Sequence, residues 1–290
     1  MNYKSAASSN QLNKTQIERS IQEKQKPEMD SKYNNQKNPL CSFQKYFNST
    51  KNFNKCFGIG ANKTGTTSLN TICKGLYGMR SDQMLGVACI DEVLNGNYST
   101  LKQHLNNHDF HQDLPASLNH YYIALDILFP NSKFILTLRD SNSWFKSFLD
   151  YYYESKIKPW IYPKLVNNSF RISLKNEKWF RASWGQQLAL LEHLKKCKFK
   201  TDEDLKYSIL KIKSFRESCI SAYENRITCI QTYFAEREKD LLQVQVSDPD
   251  LCKKINKFFG LPEDIITYKA PIKNSATRGS NNSLKYRLYY

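Results

Sequence analysis

The chain has 290 residues, 40% of them hydrophobic and 24% charged, which is globular composition and excludes a fibrous or wholly disordered protein. It contains no apolar run long enough for a transmembrane helix and no apolar block like that of a signal peptide at its start, so we expect a cytoplasmic protein without a transmembrane segment. The formal net charge of +16 suits an anionic ligand, although compositional drift towards Lys and Asn explains it nearly as well, and because the lysines are scattered we expect no nucleic acid partner.

The beginning of the chain is polar, and order is expected to start near residue 51. Residues 1–50 are rich in Asn, Ser, Gln and Lys and show no apolar period, which predicts a disordered polar tail. We expect one domain over residues 51–272 and a loosely ordered tail over 273–290. Residues 56–60 are apolar and end in glycine, as in a buried strand, and residues 68–76 are predicted to form the helix that follows.

The rest of the domain alternates predicted helices and strands. Helices are expected over residues 84–108, 117–128, 141–153, 214–238 and 250–259, strands over 133–138 and 241–246, and a mobile loop over 155–176. The helix at 214–238 has an apolar face that includes Tyr223, and Trp144 is expected in the core. This alternation predicts an α/β fold, a three-layer sandwich with helices on both sides of a central parallel sheet.

Cysteine usage does not indicate a metal site. Eight cysteines stand at positions 41, 56, 73, 89, 197, 219, 229 and 252. None forms a CxxC pair or has histidines at zinc-ligand spacing. Cys56 falls in the first predicted strand and Cys219 on the buried face of a helix, so we predict buried free thiols rather than disulfides.

The most informative segment follows the first predicted strand. Residues 58–69 read GIGANKTGTTSL. Glycines let the backbone approach an oxyanion, the start of the next helix directs amides and a positive dipole end at it, and Lys63 and the hydroxyls add charge and donors. The pattern predicts a P-loop-like phosphate-binding loop. It is neither a Walker A sequence, because the lysine precedes Gly65 by two residues, nor a dinucleotide fingerprint, whose third glycine is replaced by Lys63.

Two motifs resemble the PAPS-dependent sulfotransferase family, whose donor is 3′-phosphoadenosine-5′-phosphosulfate (PAPS). Residues 63–68, KTGTTS, are similar to that family's 5′-phosphosulfate loop. Residues 133–147, KFILTLRDSNSWFKS, are similar to its 3′-phosphate motif, a strand followed by an arginine and, eight residues later, a serine. The resemblance covers about residues 55–262. It implies PAPS as co-substrate, no metal, and donor binding by Lys63, Thr64, Gly65, Thr66, Thr67, Ser68, Arg139 and Ser147.

The resemblance also implies a mechanism of sulfuryl transfer to a hydroxyl or amine. Lys63 would neutralise charge on the bridging oxygen, and the acceptor would need a base. Asp113 is the first candidate base, because several sulfotransferases resemble the segment HQDLP at 111–115; its alternative role is to cap or anchor the next helix. His111 and His108 are the other candidates, since the ordinary pKa of histidine suits a base. The acceptor is expected to be a small molecule or carbohydrate bound by residues 84–115 and 155–185.

Two other functions fit parts of the pattern. A P-loop kinase or NTPase would use a strand-end carboxylate for Mg²⁺, and Asp140 follows the strand predicted at 133–138. A non-catalytic member of the sulfotransferase fold would keep the nucleotide-binding residues and lack turnover. Taken singly, Arg139 and Ser147 also suit ordinary roles, an ion pair and a helix surface.

Overall fold

The structure is a computed structural model. It describes residues 39–81, 89, 92–93, 95–113, 115–152, 213–268 and 286–287. The loop predicted at 155–176, the acceptor-binding segment predicted at 155–185 and most of the two predicted tails lie outside the described residues.

In the described part of the chain, four strands form one parallel sheet in the order β2-β1-β3-β4: β1 (Cys56–Gly58), β2 (Phe110–Gln112), β3 (Lys133–Leu138) and β4 (Leu241–Gln245). Phe57 of β1 pairs with His111 on one side and Phe134 on the other. β3 pairs with β4 from Phe134 opposite Leu241 onwards. The predicted parallel sheet is confirmed, and its strands end at one common edge.

One helix precedes the first strand, and the other helices follow strands along the chain. The helices are α1 (Pro39–Thr50), α2 (Thr66–Gly75), α3 (Ser99–Leu105), α4 (Tyr121–Leu128), α5 (Ser141–Tyr152), α6 (Lys213–Tyr233) and α7 (Leu251–Phe258), with a 3-10 turn at Glu238–Asp240. An antiparallel pair, β5 (Thr267–Tyr268) and β6 (Tyr286–Arg287), follows, so part of the C-terminal tail predicted to be loose is paired. Within the described ranges, no helix is both long and apolar enough to span a bilayer.

Alternate side chains of the strands pack into two hydrophobic cores, one on each side of the sheet. Phe57, Phe134 and Leu136 contribute to a core that also contains residues of α3, α4 and α6. Cys56 and Ile135 contribute to the opposite core, together with residues of α1, α2 and α7. A period of two along each strand divides the side chains in this way. The predicted three-layer sandwich is therefore confirmed.

Helix α1 corrects the predicted disordered tail. The sequence predicts disorder through residue 50, yet residues 39–50 form a helix. Phe43 and Phe47 are 6% and 0% exposed, and the ring of Phe47 packs against those of Tyr77 and Phe259. Two aromatics four residues apart share a helix face. The prediction is wrong here because it used local composition, whereas the helix is stabilised by Tyr77 and Phe259, which lie far away in the sequence.

The region from residue 84 to 128 differs most from prediction. Part of the helix predicted at 84–108 is present as α3, but β2 is a strand that the sequence did not indicate. The helix predicted at 117–128 begins at Tyr121, because residues 115–120 form turns. Asp113 has a φ of 69°, a left-handed conformation that interrupts the path from β2 into a helix, and Ser117 N donates to Asp113 O at 2.7 Å.

The described cysteines are free thiols. Burial is confirmed for Cys56 and Cys219 and extends to Cys73, Cys89 and Cys252, whereas Cys41 and Cys229 are exposed. Burial raises the pKa of the Cys89 thiol to about 11 and that of Cys73 well above its usual value. These thiols therefore stay protonated at neutral pH, as inert packing groups do. Cys197 lies outside the described residues.

Candidate functional site

The carboxyl ends of the strands bring most of the predicted site residues to one edge of the sheet. β1 leads into the loop at residues 59–65, β2 is followed by Asp113, and β3 is followed by Arg139. Val246 follows β4 and lies against Gly65, where an added Cβ would come within 2.5 Å of Val246 Cγ2. Ligands of open parallel sheets bind at this edge, which makes it the candidate site.

The loop after β1 follows a path that requires glycine at two positions. Gly65 has a φ of 100°, a conformation natural to glycine. Gly60 lies so close to β3 that a Cβ there would collide with Thr137 Oγ1. Lys63 also has a positive φ, of 73°, which is uncommon for a residue with a side chain. Such backbone conformations cluster at functional sites, because the surrounding structure has to hold them in place.

Thr64 has a structural role that the sequence did not indicate. Its side chain is 4% exposed, and its Oγ1 lies 2.6 Å from both Ala61 O and Thr137 Oγ1. A hydroxyl carries one proton, so both contacts are satisfied when Thr64 donates to Ala61 O and accepts from Thr137. The side chain of Thr64 therefore fixes the loop to β3, and the predicted contribution of Thr64 to donor binding stays a prediction.

The first turn of α2 has the features of an anion site. The helix begins at Thr66 directly after Gly65, has ten residues and carries no acidic side chain in its first turn. Gly65 supplies no side-chain cap; its carbonyl accepts from Ser68 N at 3.0 Å and Leu69 N at 3.1 Å. The first amides of a helix lack an i→i−4 carbonyl within it, and the helix dipole is positive there. Thr66 and Ser68 are buried in this turn, and Thr67 is half-buried.

Arg139 connects the end of β3 to the loop. Its Nη1 donates to Lys63 O at 3.2 Å. Its backbone is held by one hydroxyl, because Arg139 N donates to Tyr223 Oη at 3.1 Å and Tyr223 Oη donates to Arg139 O at 3.0 Å. Arg139 is exposed, and a guanidinium has five N–H donors, so it keeps the capacity to bind an anion. Ser147 lies half-buried on α5, and its predicted contact with the donor stays a prediction.

Charged groups from three strand ends interact at the loop. Burial lowers the pKa of Lys63, the neighbouring charge of Arg139 lowers it further, and Asp113 opposes both. Two cations near each other repel, and a multiply charged anion between them would remove that repulsion. The charges, the glycine geometry and the helix start together fit a ligand that carries phosphate or sulfate groups.

His111 and His108, the two histidines considered as bases, do not lie at the carboxyl edge of the sheet, where Asp113 lies. Asp113 follows β2 at the carboxyl edge and is half-buried. His111 lies inside β2, paired with Phe57, and is 2% exposed, so a catalytic role for His111 does not fit its place in the sheet. His108 precedes β2 at the amino edge, and its Nδ1 lies 2.9 Å from His104 O. Asp113 is therefore the candidate base that the fold brings to Lys63.

Asp140 has a structural partner of its own. Its Oδ1 accepts from Ser143 N at 2.8 Å, an N-capping contact for α5. Hydrogen bonds from Ser143 hold the pKa of Asp140 below its usual value. Across the residues that the structure describes, no group of three or more His, Cys, Asp or Glu side chains is arranged to hold a metal ion.

Two aromatic residues that support the site were missed as functional residues. Trp144 is 0% exposed, as predicted for a core residue, but its Nε1 also donates to Asn62 O in the loop at 2.9 Å. Its ring stacks on that of Tyr223 at 4.3 Å with an interplanar angle of 8°. The apolar period of α6 placed Tyr223 in the core, but no local pattern identifies a hydroxyl whose partner is 84 positions away.

Comparison with known proteins agrees with the geometry. The family model described as Sulfotransferase domain matches residues 55–264, which includes the loop, Asp113, Arg139 and every strand of the parallel sheet. No curated protein matches the chain. The family match supports sulfuryl transfer as the class of activity and confirms the resemblance read from residues 63–68 and 133–147. The match covers more than two thirds of the sequence, and the chain therefore belongs to the sulfotransferase family.

Proposed function

We propose that the protein transfers a sulfuryl group from PAPS to a hydroxyl or amine of a small molecule or carbohydrate. The observation that carries the proposal is the meeting of Lys63, Arg139 and Asp113 beside the first turn of α2. PAPS has a phosphosulfate at one end and a 3′-phosphate at the other, so it needs two anion-binding points. The first turn of α2 with Lys63 suits the former, and Arg139 with Ser147 suits the latter. We also propose a cytoplasmic location.

The residues at the edge have complementary parts in this transfer. An acceptor oxygen or nitrogen attacks sulfur, the bond from sulfur to the 5′-phosphate oxygen breaks, and 3′,5′-adenosine bisphosphate (PAP) leaves. Lys63 neutralises the charge that develops on the leaving oxygen, while Asp113 takes the proton of the acceptor. Because Lys63 and Asp113 interact electrostatically, a reacting group can lie near both.

The charge balance at Lys63 suits a leaving-group contact. In the free protein, burial and Arg139 lower the pKa of Lys63, which makes its ammonium a better proton donor. Bound phosphate and sulfate groups bring negative charge, which raises the pKa again. The ammonium is therefore retained when the donor is in place, at the stage where its charge is needed.

The alternative functions have less support at the same residues. A P-loop kinase or NTPase would use Asp140 for Mg²⁺, but that carboxylate accepts from Ser143 N and caps α5. Lys63 also precedes the glycine that a Walker lysine would follow. A non-catalytic member of the family would bind PAP equally well but would not transfer the sulfuryl group. The two possibilities therefore differ in whether Asp113 acts as a base.

Calorimetric titration with PAP and with ATP plus Mg²⁺ tests the proposal. We expect PAP to bind more tightly than ATP with Mg²⁺. Lys63→Ala and Arg139→Ala should each weaken PAP binding by about tenfold or more, because each removes a charge-assisted contact to phosphate. Lys74→Ala is the matched control, since Lys74 is exposed near the other end of α2, and it should leave PAP affinity unchanged.

Turnover is tested with ³⁵S-labelled PAPS and pools of hydroxyl and amine acceptors. Asp113→Asn should keep PAP affinity within about threefold and lose transfer to the acceptor, since an amide cannot take the proton. Tighter binding of ATP with Mg²⁺, or no binding of PAP by the wild type, contradicts the proposed donor. Binding of PAP without transfer to any acceptor pool favours the non-catalytic alternative.

A further inference from the structure

Helix α6 contacts both sides of the candidate site through two side chains on one face. Tyr223 and Arg226 are three residues apart, so they project from the same side of the helix. Tyr223 reaches the residues proposed to bind the donor, and Arg226 reaches the segment that begins with Asp113. The helix runs without interruption over 21 residues, so it connects the two contacts rigidly.

Tyr223 holds Arg139 and the loop together. Its hydroxyl accepts from Arg139 N and donates to Arg139 O, which fixes the backbone at the end of β3. Its ring stacks on Trp144, and Trp144 Nε1 in turn donates to Asn62 O. One side chain therefore sets the position of Arg139 relative to the loop that contains Lys63.

Arg226 holds the turns that follow Asp113. Its Nε donates to Asn119 O at 3.0 Å and its Nη2 to Ala116 O at 3.3 Å. Ser117 N closes the same segment onto Asp113 O at 2.7 Å. Burial lowers the pKa of Arg226 to about 10, so the guanidinium stays charged at neutral pH and its contacts to the two carbonyls are charge-assisted. A planar guanidinium that binds two carbonyls fixes their orientation as well as their distance.

We infer that Tyr223 and Arg226 are positioning residues, Tyr223 for Arg139 and Arg226 for Asp113, so that α6 sets the separation of the donor-binding and base sides of the site. The inference rests on the proposed function where it treats Asp113 as the base. A displacement of about 1 Å can cost on the order of a hundredfold in rate, which is why two side chains on one rigid helix matter here.

The two residues should have separable effects on PAP binding. Tyr223→Phe keeps the ring on Trp144 and loses both hydrogen bonds to Arg139, so it should weaken PAP binding by about tenfold. Arg226→Lys keeps the positive charge and loses the two-carbonyl contact, so it should leave PAP affinity within about twofold of the wild type. Thr228→Ala, an exposed change on the same helix, is the control for both and should change neither PAP affinity nor the pKa of Lys63.

The pKa of Lys63 supplies a readout that needs no ligand. It is measured from the rate at which acetic anhydride labels Lys63 as pH is varied, with the labelled peptide followed by mass spectrometry. Asp113 raises this pKa and Arg139 lowers it. Arg226→Lys, which releases Asp113, should therefore shift the labelling midpoint to lower pH, in the direction of Asp113→Asn. Tyr223→Phe, which releases Arg139, should shift it to higher pH.

Opposite shifts of the Lys63 midpoint, together with loss of PAP affinity in Tyr223→Phe alone, support the inference. An equal loss of PAP affinity in both variants, or a midpoint that Arg226→Lys leaves unchanged, overturns it. If Arg226→Lys does not fold, as judged by circular dichroism, Arg226→Gln is used, because its amide can still contact one carbonyl. Failure of the proposed function shows instead as no PAP binding by the wild type, and the Lys63 titration then still tests the contact between α6 and the Asp113 segment.

Discussion

Gly65 is subject to two separate constraints at the start of α2. Its φ of 100° lies in the left-handed region, and an added Cβ would come within 2.5 Å of Val246 Cγ2. Gly260 shares the first constraint, with a φ of 76°, but an added Cβ there would have no heavy atom within 4 Å. Alanine substitutions at these two glycines therefore separate the energetic cost of the backbone conformation from the cost of a collision with Val246 at the end of β4.

Gly65→Ala should lower the free energy of unfolding by more than Gly260→Ala, measured by urea denaturation. We expect about 1 kcal/mol for Gly260→Ala, from the left-handed conformation, and about 2–3 kcal/mol for Gly65→Ala, where the collision adds to it. Gly65→Ala should also weaken PAP binding by at least about tenfold, because the loop has to move.

Adding Val246→Ala to Gly65→Ala is the control for the collision. It should recover the steric part of the lost stability and leave a cost similar to that of Gly260→Ala. If Gly65→Ala and Gly260→Ala lower the free energy of unfolding equally, then Val246 at the end of β4 moves aside at no cost, and its contact with Gly65 does not fix the loop.

How far single residues could be predicted depends on where their partners lie. Lys63 and Arg139 were predicted from motifs whose spacing is local, and the structure brings both to one edge. The inward turn of the Thr64 hydroxyl could not be predicted, because it depends on Thr137, 73 positions away. The burial of His111 could not be predicted for a related reason: it follows from the place of His111 in β2, next to Phe57.

At the level of elements, an apolar pattern decided what the sequence could predict. β3 has six residues and a continuous apolar pattern, and α6 repeats its apolar residues over many turns, so both were predicted. β1 and β2 have three residues each; β1 was predicted because it begins an apolar run that ends in glycine, whereas β2 contains His111 and Gln112, shows no apolar run and exists because β1 pairs with it. Because β2 was not predicted, the sequence did not show that Asp113 follows a strand and lies beside the end of β1. The bridge of Ser81 to Phe110 is likewise set by tertiary contact.

Phe47→Ala tests whether α1 belongs to the core of the domain. Phe47 is 0% exposed and contacts Tyr77 and Phe259, so its truncation should lower the free energy of unfolding by about 3–5 kcal/mol. Tyr46→Ala is the control next to it in the sequence; Tyr46 is 44% exposed and should cost less than about 1 kcal/mol. If Phe47→Ala and Tyr46→Ala both lower the free energy of unfolding by less than about 1 kcal/mol in urea denaturation, the packing of α1 against α2 and α7 is contradicted.

Across the whole sheet, charge is arranged differently at the two edges. At the amino edge, acidic and basic groups are paired: Asp109 contacts Lys51 at 3.2 Å and Arg80 at 2.9 Å, and Arg237 contacts Asp126 at 2.6 Å. At the carboxyl edge, burial and the neighbouring charge of Arg139 lower the pKa of Lys63, and Asp113 opposes them. Paired charges suit stability and like charges suit binding of an anion. The amino edge is therefore suited to stability, and the pair of Lys63 and Arg139 at the carboxyl edge is suited to the anion proposed above.

The pairing at the amino edge predicts how stability depends on pH. Burial alone would raise the pKa of Asp109, but hydrogen bonds from the side chain and backbone of Arg80 and the charge of Lys51 outweigh it and hold that pKa well below its usual value. A carboxylate with a depressed pKa contributes stability above its unfolded pKa, near 4, and loses it as pH falls towards the folded pKa. The contribution of Asp109 should therefore be full at neutral pH and decline below about pH 4.

Asp109→Asn should accordingly lower the free energy of unfolding by about 2 kcal/mol at pH 7, with the difference from the wild type shrinking below about pH 4. The measurement is urea denaturation at a series of pH values. Asp264→Asn is the control, because Asp264 lies 3.7 Å from Lys253 but its side chain is 76% exposed, and exposed pairs contribute less than about 1 kcal/mol. A difference for Asp109→Asn that stays constant from pH 7 to pH 3 would contradict the prediction, because the amide and the carboxylate have nearly the same shape and the expected loss comes from the charge that pairs with Lys51 and Arg80 at the edge opposite the site.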